Sequence, residues 1–430
     1  MQPADFDIVV IGGGPGGSTA ASLATRHGFK VMIAEKELFP RFHIGESLLP
    51  AGNAILREIG VWPKLEAAGF VKKFGASFFS ADGRAGTEIT FSGGLVPGLD
   101  YTFQVERARF DSLLLDHARE LGAEVRLQVT ARAGGMVDGV HRVRLEGPGG
   151  AKEVTSRWVI DASGRDNLFE PGRKRELEPS PFPKRVAIYS HFRGVARAEG
   201  LPGGHTVAVR LDNGWFWLIP LDAERTSVGL VTTVDAMRGS GLAPEELFAR
   251  AVAESPKLSE LCGGATALIP FHVTSDYSYF RRELAEERLI RVGDAAGFFD
   301  PIFSSGVYMS MISAKLAVAA LARANSSARD LTGAERRRYT AAVKRHASVF
   351  QKLITIFYRN SGFAVFVSTD VPLRIKDAIC SIVAGQANLS WPVWWRFHVF
   401  LAVCRLQAWG VRLSSPLDFG VSPLGNAKQP

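Results

Sequence analysis

Gly12, Gly14 and Gly17 stand in the run GGGPGG near the start of the chain, and an acid, Glu35, follows at the end of the next apolar stretch. Residues of these types in this order can hold an adenine dinucleotide. Gly12 permits a sharp turn off a strand, Gly14 keeps a Cβ out of the path of a diphosphate, and Gly17 lets a helix lie close to the strand. The diphosphate would rest against the unpaired N–H groups of a helix start, worth about 0.3–1 kcal/mol per charge when exposed. The Glu35 carboxylate can take both hydroxyls of an adenosine ribose. The rest of the chain has to place these groups together.

The placing is done by a βαβ unit. Phe6 to Ile11 reads as a buried parallel strand, the small residues Ser18, Thr19, Ala20, Ala21 and Ala24 suit a helix packed tightly on a sheet, and Val31 to Ala34 is a second buried strand. The loop LFPRFHIGESLLP returns Arg41, His43 and Ser47 toward the phosphates, and its Pro40 and Gly45 keep it irregular. Residues 51–59 read as a short helix and residues 70–80 as a strand entering another sheet. Phe110, Leu113, Leu114, Ala118 and Leu121 recur at helical spacing, with Arg107 just before that helix. Residues 159–164 and 289–292 are further buried strands, and alternating strands fill 186–192, 206–211, 215–220 and 227–232. A long helix runs from Gly306 to Ala324. From Thr332 on the chain reads as helices bearing Phe350, Phe357, Tyr358, Phe363 and Phe366, with Arg336, Arg337 and Arg338 on a solvated first turn. Residues beyond Ser414 read as irregular. The expected fold is α/β: a nucleotide domain of residues 1–76, 104–180 and 282–330, an inserted antiparallel substrate sheet of residues 77–103 and 181–281, and a helical C-terminal region of residues 331–430.

With 46% hydrophobic and 22% charged residues the composition is that of a soluble protein with sizeable cores. The net charge of +8 does not point to nucleic acid, because the basic residues are spread along the chain without a zinc, helix-turn-helix or RNA-binding signature. A basic surface can meet an acidic protein or substrate, or can simply be a solvated face. Three cysteines without metal-ligand spacing imply no metal and a reducing compartment, and the first strand begins too near Met1 for a signal peptide, so the cytoplasm is expected. No membrane span is expected either, since Lys315 interrupts one apolar run and Arg396, His398 and Arg405 interrupt another.

GGGPGG, VERARFD, VIDASG and VGDAAGFFDP, in this order, resemble the flavoproteins related to aromatic hydroxylases over residues 5 to 330. The resemblance implies FAD, bound through Gly12, Gly14, Pro15, Gly17, Glu35, Lys36, Arg41, Ser47, Arg107, Gly293, Asp294 and Gly306. Asp294 would lie at the ribityl chain and pyrophosphate, and Arg107 near the isoalloxazine or pyrophosphate. Three further motifs are similar to those of flavin-dependent halogenases: WxWxIP as Trp215, Trp217, Ile219 and Pro220; KKFGA, with Lys73 at the position of the catalytic lysine; and DPIFSSGV, with Ser305 and Gly306 where those enzymes place chloride or bromide. Together with EKELF and GESLLP they look most like the halogenases of pyrroles and phenols, including the pyrrolyl-carrier-protein type. Phe303 stands where halogenases of free tryptophan have a glutamate, so free tryptophan is not the expected substrate.

In such an enzyme reduced FAD and oxygen convert a halide into hypohalous acid, which then meets an electron-rich ring. The helix opening at Gly306 would direct N–H groups at the anion and at reduced flavin, with Ser305 adding donors; serine is equally common as a simple helix cap. Lys73 can act as an ammonium that polarises the oxygen–halogen bond or as an amine that takes the halogen, the second favoured by apolar surroundings such as Phe74, Phe78 and Phe79; the alternative is a solvated pair, Lys72 and Lys73. Trp215 and Trp217 either shield the flavin from organic substrates or fill a sheet core. No separate NAD(P)H site is evident, so a partner flavin reductase is expected. The basic helix around Arg336, Lys344 and Arg345 can dock an acidic carrier protein or be a solvated face. Trp391, Trp394 and Trp395 either close a substrate tunnel or pack. The rival readings are a flavin hydroxylase or reductase of the same fold, and an FAD-binding partner subunit without turnover.

Overall fold

Ile8, Val9, Val10 and Ile11 have essentially no exposed surface, which a strand achieves only with other strands at both edges and helices on both faces. In the computed structural model, which describes residues 4–166, 169–170, 176–180, 182–275, 278–326, 329–368 and 372–411, Phe6–Ile11 is that central strand. It pairs in parallel with Val31–Ala34 and with the end of Gly150–Asp161; Glu124–Arg126 and Leu289–Arg291 extend the parallel sheet on either side. An antiparallel hairpin, Thr130–Val137 with Val140–Gly147, joins the earlier half of Gly150–Asp161. The helix Pro15–Arg26 packs between Arg107–Glu120 and the long helix Ser305–Asn325.

The second sheet runs in the order Thr266–Ala267, Arg185–Arg193, Arg225–Thr233, Gly214–Pro220, Thr206–Leu211, Gly75–Ser80, Gly86–Thr90. It is antiparallel apart from one parallel pair, Thr206–Leu211 with Gly75–Ser80. Its central strands are buried on both faces. Trp215, Trp217 and Ile219 point into a core shared with the C-terminal helices, while Phe216 and Leu218 point into one shared with Leu247, Phe248 and Leu258. This is the period-two alternation of a strand. The C-terminal helices are Gly333–Tyr358, Asn360–Val367, Ile375–Val383 and Trp391–Ala408. The first of them is opened by a capping box in which Thr332 Oγ1 accepts the Glu335 N–H and Glu335 Oε2 accepts the Thr332 N–H.

Several expectations need adjusting. Residues 70–80 form two strands: Val71–Lys73 pairs with Thr102–Gln104, and Gly75–Ser80 belongs to the second sheet. The chain changes sheets at Phe74, which puts Lys73 at the crossing. Arg107 is the first residue of its helix, and a tight 3-10 turn, Pro50–Gly52, precedes the helix Asn53–Ile59. Lys315 does not shorten its apolar run. Ser305–Asn325 is long and apolar enough to cross a membrane by length and composition, yet 56% of its apolar window is buried inside the protein, and Lys315 pairs at the surface with Glu58 at 2.5 Å. It is a core helix, packed between Pro15–Arg26 and Gly333–Tyr358. The tail beyond Ser414 lies outside the described residues.

Candidate active site

A cavity of about 380 Å³ opens between the two sheets. The glycine turn forms one end. Gly12 has φ +100°, and a Cβ on it would lie 2.5 Å from the Ala162 carbonyl oxygen; one on Gly17 would lie 1.9 Å from the Gly12 oxygen. Gly17 is therefore a packing glycine, buried behind the wall. Gly12, Gly14 and Pro15 line the cavity itself, with Gly14 as the helix N-cap and no side chain satisfying the helix-start N–H groups. Glu35 is buried. Its Oε2 accepts the Gly13 N–H at 2.6 Å and its Oε1 the Glu37 N–H at 2.8 Å, so the acid latches the turn while each oxygen keeps a second lone pair for a ligand.

The basic residues divide by what they already hold. Arg107 gives Nε and Nη2 to Asp111 at 2.8 and 2.9 Å and Nη1 to the Ile44 oxygen at 2.8 Å, so it builds the wall. Lys36 pairs with Asp166 at 2.5 Å at the exposed mouth. Arg41 is different: Nη1 is buried without a hydrogen-bond partner, 3.4 Å from Asp111, and the guanidinium lies 3.5 Å from where a Gly14 Cβ would be. An orphaned guanidinium donor beside an uncapped helix start fits a dinucleotide diphosphate. At the far end Gly293 and Asp294 line the wall, and burial raises the Asp294 carboxyl to about 6 against the opposing pull of Arg165 and Arg107.

The DPIFSSG loop arrives opposite the tryptophans. Trp215 and Trp217 form the sheet wall of the cavity, their rings 5.9 Å apart, and Ser304 and Gly306 face it from the tip of Ser305–Asn325. Ser304 adopts a left-handed conformation, φ +55°, and stands at the N-cap without its hydroxyl accepting a helix N–H. Ser305 begins the helix and is buried outside the cavity wall, so of the two serines it is Ser304 that borders the open space. Phe303 packs into an aromatic cluster with Phe78, Phe357 and Phe366.

Lys73 lies behind this wall. It is 2% exposed while Lys72 is exposed, the alternation of a three-residue strand. Its Nζ donates to Ser47 Oγ at 2.8 Å and to the Leu48 oxygen at 3.1 Å, sits 5.4 Å from the centre of the Phe91 ring, and makes no ion pair among the described residues. Burial alone pulls its pKa down to about 7. A small cavity of about 10 Å³, room for roughly one water, touches Lys73, Phe78, Phe303 and Val383 and shares Thr206, Ile302 and Ser304 with the large one. Ser47, which lines the large cavity, also joins the lysine to Thr206, whose Oγ1 is 2.8 Å from its own.

The family model described as tryptophan halogenase matches residues 7–94 and 80–362. The chain belongs to that family. The 1H-pyrrole-2-carbonyl-[peptidyl-carrier protein] chlorinase of Pseudomonas fluorescens is 36% identical to it over 401 residues, spanning 85% of this chain and 87% of the relative. Among solved structures, a flavoprotein/dehydrogenase from Cytophaga hutchinsonii superposes with a TM-score of 0.86 at 29% identity, covering 94% of this chain and 99% of that one. The flavin-dependent brominase Bmp2 superposes with a TM-score of 0.80 at 25% identity, covering 92% and 98%.

As a member of the tryptophan halogenase family the chain is a flavin-dependent halogenase, and the hydroxylase or reductase reading gives way. Sequence reasoning missed part of this halogenase's site. Glu46, buried on the cavity wall, shares a hydrogen bond of 2.7 Å with buried His191 behind it, and Thr206 stands where the two cavities meet. GESLLP contained Glu46, but nothing local announced its partner on a distant strand. Nor do the C-terminal tryptophans behave as expected. Trp391 is 70% exposed and stacks on exposed Trp394 at 5.2 Å, while Val383 of Ile375–Val383 closes the lysine cavity. Arg337 and Arg338 are exposed, and Lys344 is held by Glu178 at 2.7 Å.

Proposed function

We propose that this halogenase uses FAD and chloride or bromide to place halogen on an electron-rich ring, a pyrrole or phenol carried on a carrier protein, through Lys73. Bound as reduced FAD, the cofactor supplies with oxygen the oxidising power that takes two electrons from the halide and yields hypohalous acid. Gly12, Gly14, Pro15, Glu35 and Arg41 hold the dinucleotide end, with Lys36 at the mouth, while Arg107, Gly293 and Asp294 shape the flavin end and Gly17 keeps the turn closed. Ser304, Ser305 and Gly306 present the helix-start N–H groups to the halide, whose charge the helix end stabilises. Trp215 and Trp217 keep the organic ring off the flavin.

Lys73 receives the hypohalous acid. Its nitrogen is the observation on which the reading rests: an amine buried without a counter-ion among the described residues, its neighbours shared with the large cavity. With a pKa of about 7 it is largely an unprotonated amine in mildly alkaline solution, which favours taking the halogen onto nitrogen, the oxygen–halogen bond breaking and the oxygen leaving as water with a proton from the amine, over polarising the acid. The ring attacks the positive halogen and loses a proton. The similarity to a carrier-bound pyrrole chlorinase supports the tethered substrate, and reduced flavin would come from a separate reductase.

The deciding experiment incubates the protein with a flavin reductase, NADH, chloride or bromide, and a panel of free and carrier-bound pyrroles and phenols, read by mass. A halide-dependent mass gain on the carrier-bound pyrrole is expected. Oxygen addition that ignores halide, or halogenation of free rings alone, would overturn the corresponding part of the proposal.

A further inference from the structure

Trp215 and the DPIFSSG loop face the same cavity from different elements, and a third element joins them. The Trp215 indole N–H donates to Tyr358 Oη at 2.7 Å, and the Tyr358 hydroxyl donates to Asp300 Oδ2 at 2.5 Å. Asp300 Oδ1 in turn accepts the Ile302 N–H at 3.1 Å and so starts the turn Pro301–Phe303 that delivers Ser304 to the cavity. Asp300 is 1% exposed. Arg185 lies 3.5 Å from its Oδ2 and spreads over the Tyr358 ring at 3.6 Å. Tyr358 is itself anchored, being the last residue of Gly333–Tyr358 with its carbonyl accepting Arg210 Nη2 at 2.9 Å.

Buried polar groups need partners, and three groups satisfying one another would account for the bonds alone. It would not account for their placement. One phenol oxygen, supplied by the helical region, stands between the tryptophan wall and the loop before the helix tip, bonded to both, at a point where Asp300 also feels the Trp215 indole directly. We propose that Tyr358 is a positioning residue for the halide: its hydroxyl sets the spacing between the Trp215 ring and the Ser304–Gly306 turn, and through that spacing the affinity for the anion. This rests on the reading that the halide lies at that turn.

Tyr358→Phe tests it, because the ring and its packing against Phe357 and Arg185 remain while both hydrogen bonds go. Losing about one hydrogen bond's worth of alignment corresponds to a rise of about fivefold in the halide KM, with kcat at saturating halide within about twofold of wild type. Without turnover, bromide should raise the melting temperature of the oxidised FAD-bound variant less than that of the wild type, while FAD affinity from flavin fluorescence stays unchanged. Hydrogen peroxide released per reduced flavin should increase. Asp300→Asn, the second variant, keeps the side-chain volume and an acceptor for Ile302 and should move the halide KM the same way. The double variant should exceed the larger single effect by no more than about twofold, as for one coupled unit. A wild-type halide KM and peroxide yield in both variants would overturn the proposal, as would a fall in FAD affinity with halide KM unchanged. A wild-type protein that shows neither halide-dependent stabilisation nor halogenated product would instead overturn the halide reading beneath it.

Discussion

Lys73 is a nitrogen that the fold buries with no counter-charge among the described residues, and the consequences can be measured. Its folded pKa of about 7 lies below the unfolded 10.5, so between these values the unfolded chain binds the extra proton. The amine therefore costs stability fully below pH 7, and the cost disappears as pH rises toward 10.5. Lys73→Met should be more stable than wild type at pH 7 in denaturant titrations, and the gap should close by about pH 10. The same variant should bind FAD normally and lose halogen transfer by about two orders of magnitude or more. In the wild type, activity should climb with pH through about 7, as expected for an amine acceptor; an activity that fell through that range would mean the ammonium is the working form. Arg41, with its orphaned Nη1, makes a separate prediction. Arg41→Ala should weaken FAD binding by about tenfold or more in a flavin-fluorescence titration, with a smaller effect on the melting temperature of the FAD-free protein, because among the described residues the guanidinium has only longer ion pairs, to Asp111 and Glu37.

At the scale of elements, the first βαβ unit was fully legible because its signals are contiguous: apolar run, glycine turn, small-residue helix, second apolar run. Gly17 shows how little freedom that packing leaves. Gly17→Ala should destabilise by about 1–3 kcal/mol and lower bound flavin, since its Cβ would meet backbone that cannot swing away; a variant with wild-type melting and flavin content would contradict this. Other elements were legible only in part. Residues 70–80 carry one continuous β pattern, so periodicity could not reveal that the chain changes sheets at Phe74. The hydropathy of Ser305–Asn325 reads the same for a membrane span and a core helix, and only its neighbours, Pro15–Arg26 on one side and Gly333–Tyr358 on the other, tell them apart.

At the scale of the whole molecule, the large cavity is a seam between two sheets, and the C-terminal helices pack on the same face of the second sheet that carries Trp215 and Trp217. A ligand held by both sheets stabilises the folded chain by mass action. Free FAD at 100 times its dissociation constant should add about 2.7 kcal/mol to unfolding. Calorimetry with and without FAD checks this, and a melting temperature that ignored FAD would place the cofactor elsewhere. The lysine cavity, by contrast, is too small for an aromatic ring, so the substrate's place depends on how Ile375–Val383 and its neighbours sit over Lys73.

The sequence by itself determined the dinucleotide unit, the order of the motifs and the exclusion of a tryptophan-type glutamate at Phe303, because each depends on residues joined by a few covalent bonds. Only the tertiary structure decided that Ser304 borders the cavity while Ser305 does not, that Ser47 serves the lysine, and that Tyr358 links Trp215 to Asp300 across 143 and 58 residues of chain. These relations depend on a single left-handed turn and on strands meeting from distant parts of the sequence. No local pattern encodes such a meeting, since it is the burial of the whole chain that brings the partners together.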